Sequence, residues 1–332
     1  MTNLTSDTIV SNGLLSNISS NHAVWTGNTV SSRALRKIVA AYFVGKLAAL
    51  TGLLALSILG IIATQGLVRI LLQVCLGAVL AHATELIHQC LHRTATGRAS
   101  RDQFIGTLLA TPVGISFWRY LSDHFRHHRD VTRESFSYNY QRMDSASVWT
   151  RLSGFLRHVS MMDQFLETFR WMGAALTGRV EQRLAQQGEV PNKAIVSRIR
   201  RDYLIMLLLL VVALIVSLAF RTDIIIQLWL VPLIIGWAPV HALIELPEHW
   251  KCETSSRDPR LNTRSIRAGW LARWFVNNNC NHVGHHHDLS VAMERLPDYE
   301  AFLMDQAPFK YFEESYPRFY LRFCKYLLTR KY

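Results

Sequence analysis

Two pairs of long apolar runs dominate the pattern of hydrophobic and polar positions. From Ile38 to Ala63 the chain is almost wholly apolar, broken by charge only at Lys46, and after Thr64-Gln65-Gly66 a second run extends from Leu67 to about Ile87. A second pair follows: Tyr203 to Phe220, the polar Arg221-Thr222-Asp223, then Ile224 to about Ile244. Helical runs near twenty residues cross a hydrocarbon core of about 30 Å. Their pairing across short polar connections predicts two transmembrane hairpins, with spans at about 38–63, 67–87, 203–220 and 224–244. The expected class is an all-α, multi-pass integral membrane protein.

The intervening segments are amphipathic. Phe104 to Tyr120 is apolar but interrupted by Thr111-Pro112 and Gly114, which suits a re-entrant or interfacial segment. Residues 147–187 mix Trp, Phe, Leu and Met with Arg at roughly helical spacing. Such a helix lies on an anionic membrane face or packs on the protein itself, and the C-terminal segment 298–332 has the same two readings. Residues 1–32 are polar, lack a basic and apolar leader pattern, and read as a disordered tail, leaving 33–297 as the membrane domain.

Charge orients this arrangement. Lys and Arg number 36 against 24 Asp and Glu, a net +12. Arg33, Arg36 and Lys37 precede the first span, an Arg-rich segment from Arg93 to Arg201 joins the hairpins, and the opposite loops carry only Arg69 and Arg221. The positive-inside rule then places both termini and the central segment in the cytoplasm. Charge alone suits nucleic acid, an anionic lipid surface or an acidic partner about equally; with the apolar spans, membrane lipids and an acidic protein partner are expected and nucleic acid is not. Cys75, Cys90, Cys252, Cys280 and Cys324 are scattered without a C-x-x-C pair, so neither a disulfide framework nor a cysteine zinc site is indicated.

Of the 14 histidines, all but His22 and His158 fall into four clusters at the cytoplasmic ends of the spans. "HATELIHQCLH" sets His88 and His92 one helical turn apart, with Glu85 close to that face and His82 further round. "DHFRHH" gives His124, His127 and His128; "HALIELPEHW" gives His241, Glu245, Glu248 and His249; "NHVGHHHD" gives His282, His285, His286 and His287. The H-x-x-H-H spacing occurs twice. Bringing so many titratable groups to one membrane face is unfavourable without a metal. About nine imidazoles exceed one coordination shell and fit two nitrogen-bound, redox-capable ions, with iron favoured and manganese or zinc left open.

These clusters resemble the three histidine boxes of the membrane fatty acid desaturase/hydroxylase superfamily: His88-Gln-Cys-Leu-His92, His124-Phe-Arg-His127-His128 and His282-Val-Gly-His285-His286. "PEH" at 247–249, "NTR" at 262–264 and Leu296-Pro297 are similar to segments of its acyl desaturase branch. Gln89 and Gly284 depart from the usual box sequences. The resemblance implies a cytoplasmic helical cap holding two non-haem Fe ions, with His88, His92, His124, His127, His128, His249, His282, His285 and His286 as ligands. It implies no catalytic side chain beyond these ligands. Glu245 occupies a place where acyl-CoA desaturases carry a water-binding Asn, so it either ligates directly or orients an imidazole. Glu85, Asn278, His82, His241 and His287 are expected beside the ligands, holding them in place.

The implied reaction is O2-dependent desaturation of an acyl lipid. The alternatives are hydroxylation or oxidative decarboxylation to a terminal alkene on the same scaffold. Electrons would come from a ferredoxin or from cytochrome b5 with its reductase, since no flavin, haem or iron–sulfur motif is present in the chain. A metal transporter or sensor is the remote alternative. It would place histidines and acids within the spans.

Overall fold

Each long apolar run becomes a helix that outlasts the run. In the computed structural model, which describes residues 32–129, 131, 136–190, 192–253 and 255–331, α1 spans Ser32–Ala63 and α2 Gly66–Leu91. The polar tail with His22 lies outside the described residues. Shorter helices follow: α3 (Ala99–Ala110), α4 (Phe117–Arg129), α5 (Phe136–Met143), α6 (Val148–Val159), α7 (Met162–Leu176) and α8 (Val180–Gln186). The third long helix, α9, covers Lys193–Ala219, its first turn capped by the Asn192 side chain, which accepts from the Ala194 and Ile195 amides. The fourth is helical from Ile226 to His249, opening with two π-helical turns and closing as α10 (Ala238–His249). Beyond it come α11 (Pro259–Asn262), β1 (Ser265–Ile266), α12 (Trp270–Phe275), α13 (His282–His287), α14 (Leu296–Gln306), β2 (Phe312–Glu313) and α15 (Tyr316–Thr329). The two short strands pair in parallel, a small exception in a helical fold.

Among the described residues, four helices are long and apolar enough to cross a membrane: Ala34–Ala63, Gly66–Leu91, Lys193–Ala219 and Ile226–His249. The third starts ten residues before the apolar run expected at 203, because Lys193 to Arg201 are good helix formers that continue it. The extra length matters at the other helices. A helix of 26 residues is about 39 Å long, so the last turns of α2 stand beyond a hydrocarbon layer of about 30 Å. Leu56, Leu59, Leu67, Leu214 and Leu218 stay exposed on the helix flanks, surface that lipid would cover.

The second and fourth long helices cross with backbone against backbone. A Cβ on Gly77 would lie 2.4 Å from the Gly236 Cα, and one on Gly236 would lie 2.7 Å from the Gly77 Cα, so only glycine fits either position. Polar groups fasten the same crossing: Trp237 Nε1 donates to Thr84 Oγ1 at 3.0 Å, and Gln73 Nε2 donates to the Gln227 carbonyl at 3.0 Å. The crossing brings the ends of α2 and α10 together.

The segment 104–120 turns back on itself. Helix α3 ends in a tight 3-10 turn at Thr111–Val113, Gly114 takes a left-handed conformation at φ +75°, and α4 returns toward the end of α2. Phe104 and Leu108 remain exposed on α3. Residues 147–187 form three helices where one was read, because Met161 and Gly178 adopt positive φ between them. In this stretch and in the C-terminal segment, Trp171, Met172, Phe319 and Phe323 are buried against the protein, while Trp149, Leu156, Phe169 and Leu321 face outward. Arg151 of α6 ties the two regions by donating to the Leu327 and Leu328 carbonyls of α15.

Lys46, the one charge in the first apolar run, is buried. Its Nζ donates to Asn277 Oδ1 and lies 3.7 Å from Glu294, and Gln89 Nε2 donates to the same carboxylate at 3.0 Å.

Candidate metal centre

Helical periodicity sorts the histidines. Residues four apart share a face, while neighbours point about 100° apart. His88 and His92 therefore stand together at the end of α2, His124 and His128 on α4, and His282 and His286 on α13. The intervening His127 and His285 are turned to the side, and His249 is the last residue of α10.

The nine rings form two groups. His88, His92, His124, His128 and His285 each offer one nitrogen, all within 4.8 Å of one another; His127, His249, His282 and His286 do the same. The two H-x-x-H-H boxes contribute reciprocally. The outer pair of the α4 box joins the first group and its middle ring the second, whereas the outer pair of the α13 box joins the second and its middle ring the first. The groups adjoin, with the ring centroids of His128 and His286 4.2 Å apart.

Hydrogen bonding alone does not account for this packing. Nε2 of His124 lies 2.8, 2.8 and 2.9 Å from Nε2 of His88, His92 and His128. A neutral imidazole nitrogen is either one donor or one acceptor, so it cannot satisfy three such neighbours. In the second group, Nε2 of His127 lies 3.1 Å from those of His286 and His249, and Nε2 of His282 lies 3.3 Å from that of His249. Nitrogens about 2.1 Å from a common ion would stand about 3.0 Å apart when adjacent and about 4.2 Å when opposite. The observed spacings match those edges. His285 Nε2 is buried and has no hydrogen-bond partner among the described residues.

Protonation favours the same use. Burial pushes His92 down to about 3 and His127 down to about 4. Burial first, and neighbouring imidazoles second, hold His124, His128, His285 and His286 well below the ordinary histidine range. Near pH 7 these rings are neutral and their lone pairs are free for a cation.

Several side chains fix the ligand-bearing elements. His249 Nδ1 donates to the Asn262 carbonyl at 2.9 Å, and His282 Nδ1 lies 3.1 Å from Asn279 Oδ1, so both rings turn Nε2 inward. Pro247 continues α10 instead of ending it. The carbonyls exposed at that helix end are met by Arg264, whose guanidinium donates to Pro247 and Trp250 and whose amide donates to Glu248 at 2.8 Å. The "NTR" segment thus acts as a clip on the end of α10. At the start of α13, Ser265 Oγ accepts from the Val283 amide at 2.9 Å and donates to Glu300, which also accepts from the Gly284 amide. Burial pushes the Glu300 carboxyl up to about 7, against the lowering effect of those two donors.

The other expected residues sit around the groups. Glu245 Oε1 accepts from His241 Nε2 at 3.2 Å, and a Glu85 oxygen lies 3.9 Å from His241 Nδ1; none of the three enters either group. His82 bonds the Phe275 carbonyl at 2.6 Å and stacks on Trp274. His287 turns away to the Tyr299 hydroxyl at 2.7 Å. Asn279, not Asn278, reaches His282, while Asn277 donates to the Glu85 carbonyl and to Gln89. Asn279, Arg264 and Glu300 stand at no spacing that marks them as site residues; the run of asparagines at 277–279 and the "NTR" segment are the signals the sequence carries.

The sequence pattern described as "Fatty acid desaturase" matches residues 64–317, a stretch that contains all nine grouped imidazoles. Among curated proteins, none matches the chain significantly.

Proposed function

We propose that this chain, which belongs to the fatty acid desaturase family, is a membrane di-iron oxidoreductase that uses O2 to introduce a double bond into an acyl chain. The observation that carries this reading is the division of nine imidazoles into adjoining groups of five and four. The first five would hold one iron and the other four the second. When bound, the iron pair would supply the oxidising power to break unactivated C–H bonds with O2.

The protein's own contribution is positioning. Helices α2, α4, α10 and α13 would fix the ligand rings, and buried side chains would keep bulk water from the reacting carbons. Desaturation balances as –CH2–CH2– plus O2, two electrons and two protons giving –CH=CH– and two waters. The electrons come from outside the chain, from a ferredoxin or from cytochrome b5 with its reductase, docking on the basic face in the cytoplasm. In this reading the termini and the metal centre are cytoplasmic, and the acyl lipid reaches the centre from the bilayer.

The test is expression in membranes with a reductase system. Iron is quantified, and acyl lipids and free fatty acids are analysed by mass spectrometry under air and under nitrogen. Oxygen-dependent loss of two hydrogens from an acyl chain is the expected result. A hydroxylated chain or a terminal alkene would redirect the reading to those reactions on the same scaffold. Absent or oxygen-independent products with iron in place would overturn it.

A further inference from the structure

Glu248 stands directly before His249 at the end of α10, and its two carboxylate oxygens have different neighbours. Oε1 accepts from Asn279 Nδ2 at 2.9 Å, while Oε2 lies 3.3 Å from His282 Nε2. Protons can be placed on these contacts by elimination. A carboxylate only accepts, so Asn279 gives it the amide Nδ2 and presents Oδ1 to His282 Nδ1 at 3.1 Å. His282 therefore carries its proton on Nδ1 and has a bare lone pair on Nε2. The Asn262 carbonyl likewise accepts from His249 Nδ1, so Nε2 of that ring is turned toward His282 and His127.

Three electron-rich atoms thus converge: the Nε2 atoms of His282 and His249, 3.3 Å apart, and the Glu248 oxygen at 3.3 Å from the first. Two ring nitrogens and a carboxylate oxygen turned toward one another at this distance form a donor set that a shared cation would draw together. The second group is also the one with four imidazoles instead of five, and Glu248 stands at its edge, beside His282 but outside the set of atoms that all lie within 4.8 Å of one another. Two divalent ions held by imidazole alone would carry four positive charges in a buried setting, with no anion among their ligands. Glu245, the carboxylate expected at the metals, is engaged by His241 instead.

We propose that Glu248 is a direct carboxylate ligand of the metal held by His127, His249, His282 and His286, so that each ion receives five protein donors. Asn279 positions this ligand and His282 at once. The inference rests on the two-metal reading above and deepens it.

Cobalt(II) is a suitable probe, because it shows ligand number in its visible absorption. The full-length protein in detergent is stripped with chelator and titrated with Co(II) alone. The wild type takes up two ions. In Glu248→Gln one ion keeps its affinity, the other binds at least tenfold more weakly, and the ligand-field bands of that weaker site change. Glu248→Asp, which keeps the anion, recovers part of the affinity and serves where the Gln variant does not fold. Glu245→Gln binds both ions as the wild type does. Two ions bound with wild-type affinity by Glu248→Gln overturn the assignment. So does weaker binding with unchanged bands, which marks an orienting role only. A wild type that takes up no Co(II) overturns the two-metal reading itself.

Discussion

The two imidazole groups use the same residue type but are held in different ways. The first gathers around His124, with three other rings within 2.9 Å of its Nε2, and His92 Nδ1 and His128 Nδ1 have no hydrogen-bond partner among the described residues. The second has its rings anchored from behind, His249 by Asn262 and His282 by Asn279, and has a carboxylate at its edge. One is positioned mainly by packing on α2 and α4, the other by hydrogen bonds from the loops that follow α10. Damage to a ring should therefore act on the first group directly, and damage to a loop should act on the second.

His124→Ala removes the hub of the first group. Iron content is expected to fall from two ions per chain to one or fewer, and product formation by more than about 100-fold, beyond the 10- to 100-fold typical of residues that only orient a ligand. Elemental analysis beside product assay checks this; two irons in the variant would dissolve the first group as a metal site.

Arg264→Ala probes the second group through its loop. Losing the donors that meet the end of α10 should cost about 2–4 kcal/mol in stability and release one metal before the other. Thermal unfolding in detergent, followed by stepwise chelation, measures both; simultaneous release would erase the contrast between the groups.

Glu300 lies behind α13, which serves both groups. Its folded-state value of about 7 lies above the ordinary 4.5, so the folded chain holds a proton that the unfolded chain has given up between those values. Its contribution to stability is therefore largest below about pH 4.5, declines through about pH 7 and is flat above. Glu300→Gln should flatten the fall of melting temperature across that window. An unchanged slope would place the titration elsewhere. The smallest effect is expected from His287→Ala, whose ring turns to the Tyr299 hydroxyl and stands outside both groups; iron content should hold and activity should stay within about twofold.

How far the sequence led depended on whether helical arithmetic applied. His88, His92, His124, His128, His282 and His286 could be paired because they sit on helices, where four residues make a turn. The same arithmetic picked Asn278 as a neighbour of His282, but Asn277 and Asn278 lie at φ +50° and +59°, so no helical period connects them to α13. Arg264 and Glu300 act across loops on partners 14 to 35 residues away, a relation that spacing does not encode. The helix ends lie beyond the apolar runs for a related reason. Hydropathy locates the apolar layer, whereas the helices run past it, and the histidines depend on that extra length.

Lys46 ties the order of synthesis to the order of assembly. Helix α1 contains a charge whose partner, Asn277, lies 231 residues later, with Glu294 later still. At translation rates of about 5–20 residues per second, that charge waits on the order of tens of seconds for its neutralising neighbours. Until then the first helix carries an ammonium group into an apolar layer that resists it. A segment made more than two hundred residues later is therefore what allows α1 to settle, so a ribosome that stops before residue 277 leaves behind a helix marked by its own unpaired lysine.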